Sequence, residues 1–451
     1  MSCECAVCAL KIDFELEPHL LEEIEHGRCV IFAGAGISTE TSGAHQISLY
    51  ETLRAQISAE GGETFPRVVD LFENRPNGRQ KLIEEIKSRF NYIDGWRDLK
   101  ITATAFHKAL ATAPYFSSII TTNWDRYFED IIKATPFVYD SDLAFWESAD
   151  RPLLKIHGSI DNLSTLVAST SDYQDCEERL QRGRLGDILR HIFATKTVIF
   201  VGYSASDSDF QSVFRAVRRS MGRFARTHYL ISPFLSEEQL RDLDNEFGIK
   251  GIRTGATHFI EVIKDHMRRK YCFAFDDAYG KILDVLTELD QEHTKFVDSY
   301  SIWHDPHLIF ATSYQDGFIH CLQRIMDHRY TNDFADLHRV RGQAELYQER
   351  SREYARKRDY WNSSYFAGYE MGLLYFDIVN AELDERQNVP SEMLYPPFYY
   401  HPKSGYLNKD DYDKEVRANP QIHKAAYRQA IRFREKYKDS PGIVAQHTPF
   451  G

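Results

Sequence analysis

The chain lacks any apolar run long enough to cross a bilayer, and it lacks a signal-type apolar segment near its start. A cytoplasmic protein that does not enter membranes is therefore expected. Cysteine is sparse. The seven thiols, at positions 3, 5, 8, 29, 176, 272 and 321, are odd in number and scattered, which is no disulfide framework and fits a reducing compartment. Cys3, Cys5 and Cys8 cluster in "MSCECAVC", yet no fourth ligand at zinc-site spacing follows. They read as a frayed terminus rather than a metal site. Positive charge is also short: 55 Lys and Arg stand against 67 Asp and Glu, a net charge of −12. Direct nucleic-acid binding across the surface is not expected, although a local basic patch is compatible with this balance. No GxxxxGK[ST] occurs, which argues against a P-loop NTPase.

What is present suits a globular enzyme. The 451 residues suffice for two or three domains, and 43% are apolar, enough for a substantial core. Residues 29–270 alternate between apolar runs and helical patterns. "RCVIFAGAG", "FSSIITTNWD", "RPLLKIHGSIDN", "KTVIFVGYSASD", "THYLIS" and "IKGIRTG" read as strands. Four helical segments between the first two strands form an insertion: "SLYETLRAQISAE", "RVVDLFEN", "RQKLIEEIKSRF" and "ATAFHKALATA". "ERLQRGRLGDILRHIFA", "DFQSVFRAVRRSMG" and "SEEQLRDLDNEFG" are helical as well. Apolar runs without alternation suit a parallel sheet covered on both faces, so the expectation is a Rossmann-like α/β domain over residues 20–272, behind an extension at 1–19. From 273 to 451 the pattern is mainly α-helical and rich in Tyr and Phe, without a repeat of fixed period. "NVPSEMLYPPFYYHPKSGYLNKDD" reads as a loop between helices. Its aromatic and charged faces would pack either on the first domain or on a partner chain.

Four strands end in small or polar residues: Gly34–Ser38, Thr121–Asp125, His157–Ser159 and Gly202–Asp207. In an open α/β sheet, ligands bind beyond the carboxyl ends of the strands. Gly34-Ala35-Gly36 would let backbone amides approach a pyrophosphate, and Ser38 could donate a further hydrogen bond. The dinucleotide fingerprint needs another glycine where Thr39 stands, which counts against an ordinary dehydrogenase. Taken singly, Asn123 and Asp125 at a strand exit are more often caps or turn residues, and His157 before Gly158 is more often structural than a base.

In order, "GAGIS" (34–38), "TTNWD" (121–125), "IHGS" (156–159) and "VGYSASD" (201–207) resemble the sirtuin superfamily over roughly residues 20–265. The resemblance implies that Gly34, Ala35, Gly36 and Ser38 bind the pyrophosphate of NAD+. It places Asn123 and Asp125 at the nicotinamide ribose and carboxamide, and makes His157 the base on a ribose hydroxyl. Gly202-Tyr203-Ser204 would flank the adenosine half. Thr122 stands where the family has glutamine. Two departures point away from peptide deacylation. Ser42-Gly43 is followed by "AHQISLYETL" instead of a Pro-Asp-Phe-Arg stretch, and only Cys176 lies between His157 and Val198, where a zinc module would need two CxxC pairs. No zinc is expected. The segments "GYSASDSDF" and "EEQLRDLDNEFGIKGI" look like the divergent sirtuin-like domains of bacterial antiphage proteins that consume NAD+.

The implied activity is hydrolysis of NAD+ to ADP-ribose and nicotinamide, depleting NAD+ in an abortive-infection response. The rival readings are an NAD or ADP-ribose sensor without turnover, an NAD-dependent deacylase and, last, a dehydrogenase. An unrestrained NAD+ hydrolase would kill its host, so a homo-oligomeric gate or a partner is expected. The resemblance suggests a HerA-type ATPase, with an Argonaute-like protein as the less favoured partner.

Overall fold

A computed structural model describes residues 10–41, 43–57, 62–116, 118–203, 226–299 and 309–436. The chain divides into two compact units, Met1–His266 and Met267–Gly451.

The first unit is built on seven parallel strands: β1 (Cys29–Ala33), β2 (Ile119–Thr121), β3 (Thr135–Phe137), β4 (Pro152–Lys155), β5 (Thr197–Val201), β6 (His228–Ile231) and β7 (Ile249–Ile252), in the order β3-β4-β2-β1-β5-β6-β7. Every residue of β1, β2, β4, β5 and β6 is buried, which is why these runs show no polar alternation. Phe32, Phe193, Phe200 and Leu230 meet in the core beneath the sheet. The chain leaves β1 towards β2 on one side and returns to pair β5 on the other. The β1/β5 junction is therefore the point where strand order reverses, and a crevice opens at its carboxyl end.

The insertion consists of helices Leu49–Ile57, Phe65–Glu73, Gly78–Gly95 and Arg97–Ala111. The first three pack through Leu53, Val68, Val69, Phe72, Leu82 and Ile86 into a core separate from that of the sheet, and Leu166 and Ala168 join this core from the segment after β4. β3, the segment "TPF", departs from the sequence expectation. It has three residues, two of them exposed, and a proline, which an edge strand tolerates because one side needs no amide donor. The single helix expected around 178–194 is two, Thr170–Arg182 and Arg184–Thr195. They break at Gly183, where Asp140 caps the amides of Arg184 and Leu185 at 3.0 Å each. The expected helix at 209–222 lies outside the described residues.

The second unit is mainly helical: Asp276–Ser299, Ile309–Asp327, Leu337–Arg356, Tyr360–Leu383, Lys409–Ala418 and Pro420–Lys436. Helix Tyr360–Leu383 is buried on nearly every side. Its surroundings are tyrosine-rich, with Tyr314 and Tyr400 stacked at 5.7 Å and Tyr406 against both. The expected loop at 388–411 holds an antiparallel hairpin, Tyr399–His401 with Gly405–Leu407. Aromatic residues at sheet positions, with Gly405 at φ +79°, favour this turn over an irregular excursion.

Candidate active site

At the reversal point two glycine turns interlock. The Gly34 amide donates to the Val201 carbonyl at 2.9 Å and the Gly36 amide to the Gly202 carbonyl at 3.1 Å. A Cβ on Gly34 would lie 2.7 Å from the Tyr203 ring and 2.8 Å from the Gly202 oxygen, and one on Gly36 equally close to that oxygen. Gly202 itself sits at φ +74°. These glycines are dictated by backbone contact between two strand exits. The Gly34 and Gly36 amides are bonded within that joint, so the service of these two glycines to a phosphate is to leave room for it. The unpartnered amides in the turn are those of Ala35 and Thr39, both in the wall of the cavity below.

A hydrogen-bond chain ties the β1 turn to the β2 exit. Asn123 Nδ2 donates to the Gly34 carbonyl at 3.2 Å and to Ser38 Oγ at 3.1 Å. Ser38 Oγ donates to Asp125 Oδ2 at 2.8 Å, and Asp125 Oδ1 accepts from the Tyr127 amide at 3.0 Å. All three side chains are buried. Burial pushes the Asp125 carboxyl up, against the pull of nearby Lys155. Lys155, fully buried on β4, donates to the Asp125 carbonyl at 2.6 Å and pairs with Glu129 at 2.8 Å. Asp125 therefore holds loops together with both oxygens. The orientation of Asn123 follows from the Gly34 carbonyl, which only the amide nitrogen can serve. Its Oδ1 is left buried without a partner.

His157 lies two residues beyond β4. Its carbonyl accepts from the Val167 amide at 3.1 Å, and its ring meets Tyr173 edge-on at 5.1 Å. Gly158 follows at φ +85°, where a Cβ would sit 2.1 Å from the Thr165 carbonyl oxygen. Only glycine makes this turn, and the turn sets the direction of the imidazole.

Asn123, Asp125 and His157 line one cavity of about 310 Å³ together with Ala35, Thr122 and Tyr203. Thr122 Oγ1 and Tyr203 Oη share a hydrogen bond of 2.8 Å, and Tyr203 also donates to the Ala33 carbonyl at 3.2 Å. Ser38 stands behind the wall, bonded to Asn123 and Asp125. Gly34, Gly36 and Gly202 form the joint beside it. Ser204 lies outside the described residues.

The opposite wall comes, apart from Trp124 of the second motif, from residues the motifs do not include. Leu49, Phe65, Ile86 and Phe90 are supplied by the insertion, and Trp124 faces Phe65 with ring centroids 6.4 Å apart. Arg89 and Glu40 add an ion pair at 2.9 Å. One sequence signal marks Arg89. It falls on the buried stripe Leu82, Ile86, Arg89, Ile93 of its helix, where an apolar residue is the rule.

The SIR2-like domain family matches residues 117–252, from just before β2 through β7. The glycine turn precedes the matched stretch, and β1, which leads into it, pairs with β2 and β5 inside that stretch. The chain is similar to the NAD(+) hydrolase ThsA of Cytobacillus dafuensis, 25% identical over 316 residues that cover 68% of this chain and 62% of that protein. NAD(+) hydrolase ThsA of Enterococcus faecium is 25% identical over 301 residues, 63% of this chain and 60% of that one. Defense-associated sirtuin 2 of Bacillus subtilis is 23% identical over 304 residues, 62% of this chain and 27% of that protein. The chain thus spans about six tenths of the length of these two ThsA relatives. Among the described residues, no three His, Cys, Asp or Glu side chains gather as a metal site, and no helix is long and apolar enough to cross a membrane.

Proposed function

We propose that this protein hydrolyses NAD+ to ADP-ribose and nicotinamide and does so in antiphage defence, as the names of its relatives suggest. The observation that carries this reading is the meeting of Asn123 and His157 in one cavity at the strand-reversal point, with the buried Asn123 Oδ1 still lacking a donor. A ribose hydroxyl supplies such a donor, and an unmet buried carbonyl is costly enough to make that bond favourable.

In the proposed reaction the bond between ribose C1′ and the nicotinamide nitrogen breaks. Its electron pair goes to the ring nitrogen, which becomes neutral. Water adds to C1′ and gives up its proton, so NAD+ and water become ADP-ribose, nicotinamide and a proton. Asn123 orients a ribose hydroxyl or the water. His157, the imidazole in the wall, takes the proton. Asp125 keeps the Ser38 and Asn123 side chains in place. The apolar wall of Phe65, Phe90 and Trp124 suits an aromatic leaving ring and limits the water around it.

Restraint of the activity by a homo-oligomer, or by an ATPase partner of the HerA type, belongs to the same proposal. Incubating the full chain with NAD+, alone and with candidate partners, and following nicotinamide by chromatography is the test. NAD+ bound in every condition without nicotinamide release would overturn the hydrolase reading in favour of a sensor. Release only with an acylated peptide would point to a deacylase.

A further inference from the structure

The charged pair in the apolar wall has a geometry that packing alone does not require. Arg89 holds three points of the segment between the glycine turn and the insertion. Its Nη2 donates to the Thr39 carbonyl at 3.4 Å, its Nη1 donates to the Ile47 carbonyl at 2.8 Å, and its Nε lies 2.9 Å from Glu40 Oε1. Glu40 in turn accepts from the Leu49 amide at 3.4 Å, at the start of helix Leu49–Ile57. Burial pushes the Arg89 guanidinium down and the Glu40 carboxyl up. A buried ion pair adds little net stability, because the loss of water offsets the attraction, so stability alone does not account for this one. The segment it grips carries Thr39, Glu40 and Ser48 into the cavity wall. The Thr39 amide is one of the two unpartnered donors of the turn.

We propose that Arg89 is a positioning residue for dinucleotide binding. Through Thr39, Glu40 and Ile47 it fixes the segment that presents the Thr39 amide, and so sets how firmly the cavity holds a diphosphate. Backbone amides bind an anion well only when they are held in place beforehand. This inference rests on the NAD+ hydrolase reading for its substrate, but not for its structural half.

The experiment compares the wild type with Arg89→Lys, which keeps the charge and loses the fork. The control is Arg151→Gln. Arg151 is equally buried and binds the carbonyls of Ala111 and Ala113, just before β4 at the end away from the crevice. The expected result for Arg89→Lys is faster amide hydrogen exchange in residues 39–48 of the unliganded protein. KM for NAD+ is expected to rise about tenfold, with kcat within about threefold of the wild type, a loss of binding shared by ground and transition states. Arg151→Gln is expected to lower the thermal midpoint and leave KM unchanged. If Arg89→Lys does not fold, Glu40→Gln, which removes one charge at constant shape, is expected to move KM and exchange in the same direction. Unchanged exchange at 39–48, or a fall in kcat at unchanged KM, overturns the proposal. A wild type that binds NAD+ but releases no nicotinamide, alone or with any candidate partner, refutes the hydrolase reading instead, and the exchange measurement then decides the role of Arg89 by itself.

Discussion

The two walls of the cavity are built differently. The strand-end wall is polar and cross-bonded: Asn123, Ser38, Asp125 and the Tyr127 amide form one chain of hydrogen bonds, with Thr122 and Tyr203 bonded beside it. The insertion wall is aromatic and aliphatic, with one ion pair set into it. In the first wall each group fixes the next, so a change at one position is felt at its neighbours. In the second, contacts are numerous, individually weak and local. Chemistry needs groups held to a fraction of an ångström, whereas an apolar moiety needs only a surface of the right shape. On the proposed reading, the reaction belongs to the strand ends and the grip on substrate to the insertion.

This contrast can be broken by substitution. The largest expected effect is on turnover. Asn123→Ala and His157→Ala should each lower nicotinamide release by about 10²- to 10⁴-fold, the usual worth of a positioned acid–base group, with the thermal midpoint unchanged in His157→Ala and lowered in Asn123→Ala, which strands the Gly34 carbonyl. Near wild-type release from either variant would remove the strand-end wall from the chemistry. Next comes Asp125→Ala, which strands the Ser38 hydroxyl and the Tyr127 amide. A stability loss of about 1–3 kcal/mol in urea unfolding is expected, together with lost turnover. A variant as stable as the wild type would show that the polar chain is not cooperative.

Acid should weaken the unit that holds both walls. Burial lowers His107 to about 3 and His228 to about 4, and the Nδ1 of His228 accepts from the Val198 amide. Both are neutral in the folded protein and charge readily when unfolded. Their contribution is whole above the unfolded pKa near 6.5. It is lost as pH falls towards 4, at up to about 1.4 kcal/mol per pH unit for each histidine. Urea midpoints at pH 7.5 and 5.5 measure this, and equal midpoints would refute it. The smallest effect is expected at the insertion wall. Phe65→Ala should raise KM for NAD+ by roughly fivefold, about 1 kcal/mol, and leave kcat nearly unchanged. A larger fall in kcat than in affinity would mean that the apolar wall takes part in the chemistry.

The two walls also differed in how far the sequence exposed them. β1, β2, β4, β5 and β6 were legible because strands buried on both faces are mostly apolar, and β7 because Ile249 and Ile252 bound a short segment between a helix and a turn. The residues at their exits were legible because they directly follow those runs. β3 escaped because three residues at a sheet edge need neither hydrophobicity nor length. The Tyr399–Leu407 hairpin escaped because its Pro402-Lys403-Ser404-Gly405 run resembles a loop. Arg89, Glu40 and Phe65 were hidden for another reason. They belong to amphipathic helices and a connecting segment whose patterns say only that one face is buried. Which cavity that face meets depends on tertiary packing, and only the charged residue on the apolar stripe hinted at it. The roles of Gly34 and Gly36 also became clearer. The motif pointed to amides facing a phosphate, and the structure shows those amides bonded to the β5 exit.

That joint bears on when the site comes into being. Cys29 through Ala33 pair with Thr197 through Val201, and the turn at Gly34 takes its shape from Gly202. Neither half of the crevice exists until a strand from the beginning of the domain has met one made far later, so closing that long loop comes late in folding. A nascent chain still short of residue 203 has the glycine turn, Asn123 and His157, but nothing to hold them around a dinucleotide. On the proposed NAD+ hydrolase reading, the topology would act as a safeguard during synthesis: no NAD+ could be cut before the domain is complete.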